Sequence, residues 1–357
     1  AQPKRILIIK LRHHGDVLLS TPVVDALKTR FPDCEIDMLV YAGTGQLIAD
    51  NPQIAQIFTI DRNWKKLGVF KQLACEKNLL SKLKARDYDW AFNLSDQWRA
   101  AVIAKLCARC SVGFDCIKRD GFWWRFCHDF INHELDTSHH IVENQLNILA
   151  PLIQPEDVAD AKVRLWVAQD ARESMRQKLR EQGWNGEDYV LLHPGARWHF
   201  KCWEDGKNAA IVQLLLNSGQ NVVLTASPDT VEQYMLQEII GRLNIPEGRK
   251  VYVLSGCLSL RELAAAIEGA KLFIGVDSAP MHIAAALDKP QIALFGASWV
   301  DKWRPYSGEA EVIYAGDYAE LPHPDSIDTN DLTRLLKAIP LQDVWDRISA
   351  KLEALEA

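Results

Sequence analysis

The sequence predicts an α/β protein with two doubly wound domains, and three observations carry that expectation. Short apolar runs alternate with segments of helical apolar spacing along nearly the whole chain, which is the rhythm of repeated βα units around parallel sheets. The length of 357 residues, with 48% hydrophobic and 25% charged, supplies a large core and more than one domain. Residues 272–287 join an apolar run, Leu-Phe-Ile-Gly-Val, to an Ala-rich helical segment through Asp-Ser-Ala-Pro. Such a strand-to-helix joint is where α/β sheets keep their ligands.

The elements follow in order. Residues 5–11 form a continuous apolar run with charged ends, as a central parallel strand requires. The loop 12–16 leads into helical spacing over 17–31, restarted at Pro22 with Ser20 or Thr21 as cap. Strand-like 35–41, a loop at 42–45, a short helix at 46–50 and strand-like 54–60 come next. Helix 72–85, strand 88–94, helix 97–108, strand 111–114 and helix 141–152 extend the series. A polar stretch marked by prolines at 151–162 reads as the linker. Beyond it, helices at 168–182, 204–218, 230–243, 259–268 and 280–287 alternate with strands at 189–193, 221–226, 251–254, 272–276 and 291–295. The expected domains are 1–155 and 162–328, with amphipathic helices in 329–357 crossing back to brace the first.

Composition narrows the function. No apolar run approaches the roughly 18 residues that span a bilayer, and 5–10 is too short for a signal-peptide core, so a cytoplasmic protein is expected. The eight cysteines then read as reduced core thiols. Cys107 and Cys110 have zinc-knuckle spacing, but no second Cys-x-x-Cys follows, so no metal site is expected. The net charge of −6 divides unevenly: residues 1–150 hold 20 Lys and Arg against 17 Asp and Glu, whereas the remainder is acidic. That excess is no nucleic-acid footprint, though local clusters suit a phosphorylated or membrane-embedded partner.

Ligands of doubly wound sheets bind beyond the carboxyl ends of the strands, so the expected site is a cleft lined by loops 13–16, 193–201, 226–229 and 277–282. None carries a Gly-x-Gly-x-x-Gly fingerprint or a Walker loop, which removes the main support for NAD or ATP hydrolysis. A helix starting near Pro280 leaves the amides of Ser278, Ala279 and Met281 without intrahelical partners, a pocket for an anion. Asp277 offers sugar hydroxyls a carboxylate, with His282 one turn on. The alternative is that Asp277 or Ser278 simply caps the helix.

Three segments in this order and spacing resemble the lipopolysaccharide core heptosyltransferases, glycosyltransferase family 9: Lys10-Leu-Arg-His-His-Gly-Asp-Val-Leu-Leu-Ser-Thr-Pro22; His193-Pro-Gly-Ala-Arg197 with Lys201-Cys-Trp203; and Gly275-Val-Asp-Ser-Ala-Pro-Met-His282. The first motif's Arg-His-His-Gly-Asp form and Asn93-Leu-Ser-Asp-Gln-Trp-Arg99 are most similar to the members that branch the inner core. The resemblance implies a GT-B architecture, two Rossmann-like domains facing a central cleft. It implies inverting transfer of L-glycero-D-manno-heptose from ADP-heptose to a heptose of the lipid A-core acceptor, in the cytoplasm or at the inner membrane face, without an essential metal.

By that carry-over, Asp16 is the general base, although its position before Val17 also suits a helix cap. Lys201 takes up charge on the departing diphosphate, beside Gly195, Ala196, Arg197 and the amides of Ser278 and Ala279. Asp277 and His282 hold the heptose, and the ribose-binding acid falls at Asp229 or Glu232. His13, His14, Arg62, Lys65, Arg99 and Arg119 are the acceptor candidates. Other classes are a different nucleotide-sugar enzyme, such as an epimerase, and a non-catalytic nucleotide-sugar binding protein.

Overall fold

The computed structural model describes residues 2–116, 118–158 and 160–356. The chain forms two compact units, Ala1–Trp166 and Val167–Ala357.

In the amino-terminal unit, six parallel strands lie in the order β3-β2-β1-β4-β5-β6: β1 (Arg5–Lys10), β2 (Glu35–Tyr41), β3 (Gln56–Ile60), β4 (Tyr88–Asn93), β5 (Ala108–Asp115) and β6 (Phe130–His133). The helices are α1 (His14–Leu18), α2 (Thr21–Arg30), α3 (Val69–Ala85), α4 (Trp98–Cys107), α5 (Phe122–Phe126) and α6 (Ile141–Asn147). The central strand is buried on both faces, which is why it reads as an unbroken apolar run. Ile6 and Ile8 pack with Val23, Val24 and Leu27 of α2, while Leu7 and Ile9 pack with Leu79 and Leu83 of α3 and Ile103 of α4. Alternation of side chains along the strand thus feeds two cores at once.

The carboxy-terminal unit repeats this winding in the order β12-β11-β10-β7-β8-β9. Its strands are β7 (Tyr189–His193), β8 (Asn221–Ala226), β9 (Val251–Ser255), β10 (Leu272–Val276), β11 (Gln291–Phe295) and β12 (Ala310–Tyr314), all parallel. Its helices are α7 (Gln169–Arg180), α8 (Asp205–Asn217), α9 (Thr230–Ile240), α10 (Leu260–Gly269), α11 (Ala279–Ala286), α12 (Val300–Trp303) and α13 (Leu341–Glu356). Helix α10 starts where Ser259 and Glu262 form a capping box, each side chain accepting from the other's backbone amide.

Three expectations change. The first unit runs on to Trp166 because the expected linker is tied down: Ile153 is in the first core, and the amides of Lys162 and Arg164 donate to Asp25 and Thr21. Residues 329–357 fall in the second unit, where Val344, Ile348 and Leu352 of α13 are buried in the second core with Leu215 and Leu216 of α8. Of the expected helix 329–338 only a 3-10 turn, Leu335–Ala338, forms. Beyond the predicted elements, the structure adds α5, β6, α12 and β12.

A buried charge anchors the amino-terminal sheet. The Asp37 side chain on β2 is 0% exposed and accepts from Arg86 at 2.7 Å and 3.3 Å and from the Tyr88 hydroxyl at 2.7 Å. Burial and the Asp37 hydrogen bond push the Tyr88 phenol up. Arg86→Met strands that carboxylate and should destabilise the unit by about 3–5 kcal/mol, the usual cost of an uncompensated buried charge. In urea unfolding the midpoint should fall, and an added Asp37→Asn should recover part of the loss; an unchanged midpoint for Arg86→Met would show that the charge is compensated elsewhere.

Candidate functional site

The strand order reverses direction between β1 and β4 in one sheet, and between β7 and β10 in the other. Chains leaving neighbouring strands at such a point turn to opposite faces and leave an open crevice at the carboxyl ends. The residues singled out in the sequence fall at these two places.

In the carboxy-terminal unit, β10 ends at Val276 and delivers Asp277, which is 6% exposed. Lys201, on the loop after β7, meets it with Nζ 2.5 Å from Oδ2, and the Ser298 hydroxyl, on the loop after β11, donates to the same oxygen at 2.6 Å. Two donors on one oxygen leave Oδ1 available to hydroxyls. The ammonium also lies 5.0 Å from the centre of the Trp198 ring, which stacks on Phe200. The loop is clamped from behind, with Arg334 bound to Asp205, to the Trp203 carbonyl and to His199.

Glu232 separates from Asp229 on this geometry. Asp229 is the exposed cap of α9 and its carboxylate accepts from the amides of Val231 and Glu232. Glu232 is 7% exposed, accepts from the Ser227 amide at 3.0 Å and lies 3.7 Å from His193 Nε2. It packs so closely on Gly195 that a Cβ there would collide with its carboxylate, which explains glycine at that position. Burial lowers the His193 ring's pKa against the opposing pull of Glu232, and its Nδ1 pairs with the Thr225 hydroxyl at 2.8 Å. Ala196 is buried, whereas Arg197 is exposed.

Helix α11 begins at Ala279, with Ser278 in the cap position and Asp277 before it. The capping alternative does not hold for either side chain: the Ser278 hydroxyl turns back to the Val276 carbonyl and Asp277 binds Lys201. The Met281 amide, expected to be open, donates to the Ser278 carbonyl at 3.1 Å. The first-turn amides of Ser278 and Ala279 keep the geometry that leaves them without intrahelical partners. His282 is 5% exposed within the helix.

In the amino-terminal unit, helix α1 begins at His14, with His13 at the cap position. Asp16 therefore lies inside the first turn and is not the cap. Its carboxylate is partly exposed and makes no hydrogen bond or ion pair with any described residue. The loop before it is anchored by the Leu11 amide donating to Ser95 Oγ at 2.6 Å and by Arg12 paired with Asp96 at 2.9 Å. Burial, with the nearby charges of His13 and Arg62, lowers the His14 pKa.

The acceptor candidates divide. Arg62 stacks on Tyr41 at 4.1 Å near His14, and Lys65 is exposed on the same 3-10 turn. Arg99 is held by Glu76 at 2.6 Å. Arg119 donates to the Asp96 and Lys118 carbonyls and lies over Trp98 and Trp124, so two of its five N–H donors are engaged within the unit. Sequence reasoning met Ser95 and Asp96 only as part of the Asn93–Arg99 resemblance, with no role given to either, and passed over Ser298, which does not announce itself by spacing. Among the described residues, no group of three or more His, Cys, Asp or Glu side chains is placed to hold a metal ion, and no helix is long and apolar enough to cross a membrane.

The family model for glycosyltransferase family 9 (heptosyltransferase) matches residues 77–332. A lipopolysaccharide heptosyltransferase 3 from Escherichia coli is 38% identical over 335 residues, which covers 94% of this chain and 95% of that protein. Among solved structures, a family 9 glycosyl transferase from Veillonella parvula superposes with a TM-score of 0.83 at 21% identity, over 98% of this chain and 97% of the other. The E. coli ADP-heptose lps heptosyltransferase II does so at 0.76 and 22%, over 99% and 100%.

The His193 environment generates a pH test. The folded ring has its pKa below 6.5, whereas the unfolded ring takes a proton near 6.5. His193 thus costs no stability above pH 6.5 and costs progressively more as pH falls below that value, because the unfolded chain binds the extra proton. The unfolding free energy of the parent should drop more steeply below pH 6.5 than that of His193→Asn, measured by denaturant titration at several pH values. Parallel curves would place the ring's titration elsewhere.

Proposed function

The chain belongs to glycosyltransferase family 9, the heptosyltransferases, and from that premise we propose that it transfers heptose from ADP-heptose to a heptose of the lipopolysaccharide inner core, as a heptosyltransferase III. The observation that carries this assignment to the site is the half-buried Lys201–Asp277–Ser298 cluster at the switch point of the carboxy-terminal sheet. It puts a cation for a diphosphate and a carboxylate for sugar hydroxyls in one place, beside a helix start.

The carboxy-terminal unit holds the donor. Lys201 has three N–H donors and spends one on Asp277, so it can add phosphate oxygens without releasing its partner. The Ser278 and Ala279 amides and the backbone at Gly195 and Ala196 complete the anion pocket, with Arg197 at its exposed rim. Asp277 Oδ1 accepts from heptose hydroxyls, and His282 backs the helix that carries them. Of the two ribose candidates, Glu232 is favoured, because it borders Gly195 and His193 whereas the Asp229 carboxylate is spent on α9.

The amino-terminal unit holds the lipid A-core acceptor. Asp16, which pairs with no described residue, takes the proton from the attacking hydroxyl as the bond from the anomeric carbon to the ADP oxygen breaks on the opposite face. The negative charge gathers on the diphosphate, where Lys201 and the amides stabilise it, and no step calls for a metal. Arg62 and Lys65 meet acceptor phosphates, with His13 and His14 beside the reacting hydroxyl; Arg99 and Arg119 shape the crevice wall.

Asp16→Asn should cut turnover by roughly 10²–10⁴-fold, the usual worth of a general base, with ADP affinity unchanged by calorimetry. Turnover close to the parent's would remove Asp16 from that role. Lys201→Ala should weaken ADP binding as well as turnover; unchanged ADP affinity would assign the lysine to Asp277 alone. ADP release from ADP-heptose only when core acceptor is present separates transfer from epimerisation or plain binding.

A further inference from the structure

Helix α5 exposes three aromatic side chains together. Phe122, Trp123 and Phe126 are 72%, 69% and 62% exposed, and their rings touch one another at 5.4–6.5 Å. Trp124, on the opposite side of the helix, is 0% exposed, meets Trp98 edge to face at 5.4 Å and donates to the Phe114 carbonyl. One indole nails the helix to the sheet while three rings stand in solvent.

A second apolar group lies where α3 begins. Leu67, Val69, Phe70 and Leu73 are 45–89% exposed, on a segment, 61–73, that carries four basic residues and one acidic. Single exposed apolar side chains need no explanation, but clusters of them do. Both groups follow the carboxyl ends of parallel strands, β3 and β5, so they share one edge of the sheet with Asp16, which follows β1.

We propose that this edge seats the amino-terminal unit on an anionic phospholipid bilayer. The α5 aromatics and residues 67–73 enter at headgroup level, and exposed Lys66, Lys71 and Lys118 meet lipid phosphates. Aromatic rings with adjacent cations are the composition that binds such an interface. The same charge argues against a second copy of this chain as the occupant, because a two-fold contact would set each basic patch against itself. The benefit to catalysis rests on the lipid-linked acceptor proposed above; the binding does not.

The test sediments the full-length chain with vesicles of phosphatidylcholine alone or mixed with phosphatidylglycerol. Binding should require phosphatidylglycerol and weaken with salt. Val69→Ser with Phe70→Ser, and separately Phe122→Ser with Trp123→Ser, should each lower vesicle affinity about tenfold, with circular dichroism unchanged. Turnover on a deacylated, water-soluble core acceptor should stay at the parent level, while turnover on acceptor embedded in vesicles falls. Parent-like vesicle binding by both variants would overturn the proposal. So would a dimer that the variants abolish, or an equal loss of turnover on the soluble acceptor, which would make these rings part of the sugar site. If the parent turns over no core acceptor at all, the enzymatic assignment fails and the vesicle result still decides this one.

Discussion

Both units depend on the same constraint: six parallel strands wound outward from a central pair, β1 and β4 in one sheet and β7 and β10 in the other. At the carboxyl end of that pair the two chains depart to opposite faces and leave a crevice between them. Side chains delivered there are held by rigid, fully buried strands yet meet no covering helix. Asp277 and the Lys201 loop come from β10 and β7, and the Asp16 loop comes from β1. The winding thus creates the vacancy, and sequence decides which chemistry fills it.

The two crevices are filled in opposite ways. In the carboxy-terminal unit the charges are paired: Asp277 with Lys201 and Ser298, Glu232 with the Ser227 amide and the His193 ring. Burying such groups costs desolvation energy that their mutual attraction offsets only when the geometry is good and the remaining lone pairs are used. The loop therefore needs external bracing, which Arg334 provides by gripping Asp205 and the Trp203 carbonyl. This also explains why the carboxyl-terminal segment belongs to this unit. Trp203 Nε1 and Lys207 both donate to the Ile339 carbonyl, tying the tail to the loop that carries the cation.

Most of the fold was legible because central parallel strands leave a strong trace. Runs such as Ile6–Ile9 and residues 272–276 are apolar on both faces, and few other elements look like that. What escaped was peripheral. Strands β6, Phe-Ile-Asn-His, and β12, Ala-Glu-Val-Ile-Tyr, are edge strands, short and partly exposed, without a periodicity to distinguish them from loop. The helix expected at 329–338 fails for a local reason: Asp328 and Asp331 side chains accept from the amides of Asn330 and Thr333, and these turns compete with helical hydrogen bonds. In the site, Asp277, Lys201 and Glu232 stood beside recognisable strand ends. Ser298 did not, because its only credential is a partner 21 residues away.

The contrast with Asp16 matches the roles proposed for the two carboxylates. Asp277 is locked by two donors on one oxygen, which suits the sugar-binding role proposed for it. A general base must keep its lone pairs for the reacting proton, and any resident cation would weaken it by stabilising the ionised form before reaction. Asp16, the base proposed above, makes no ion pair with any described residue, and Arg12 on the same loop pairs with Asp96 instead. The Arg12–Asp96 pair and the Leu11 amide bonded to Ser95 Oγ hold the start of the loop that leads to Asp16. On the proposed reading, residues that never touch a reacting atom set the position of the one that does.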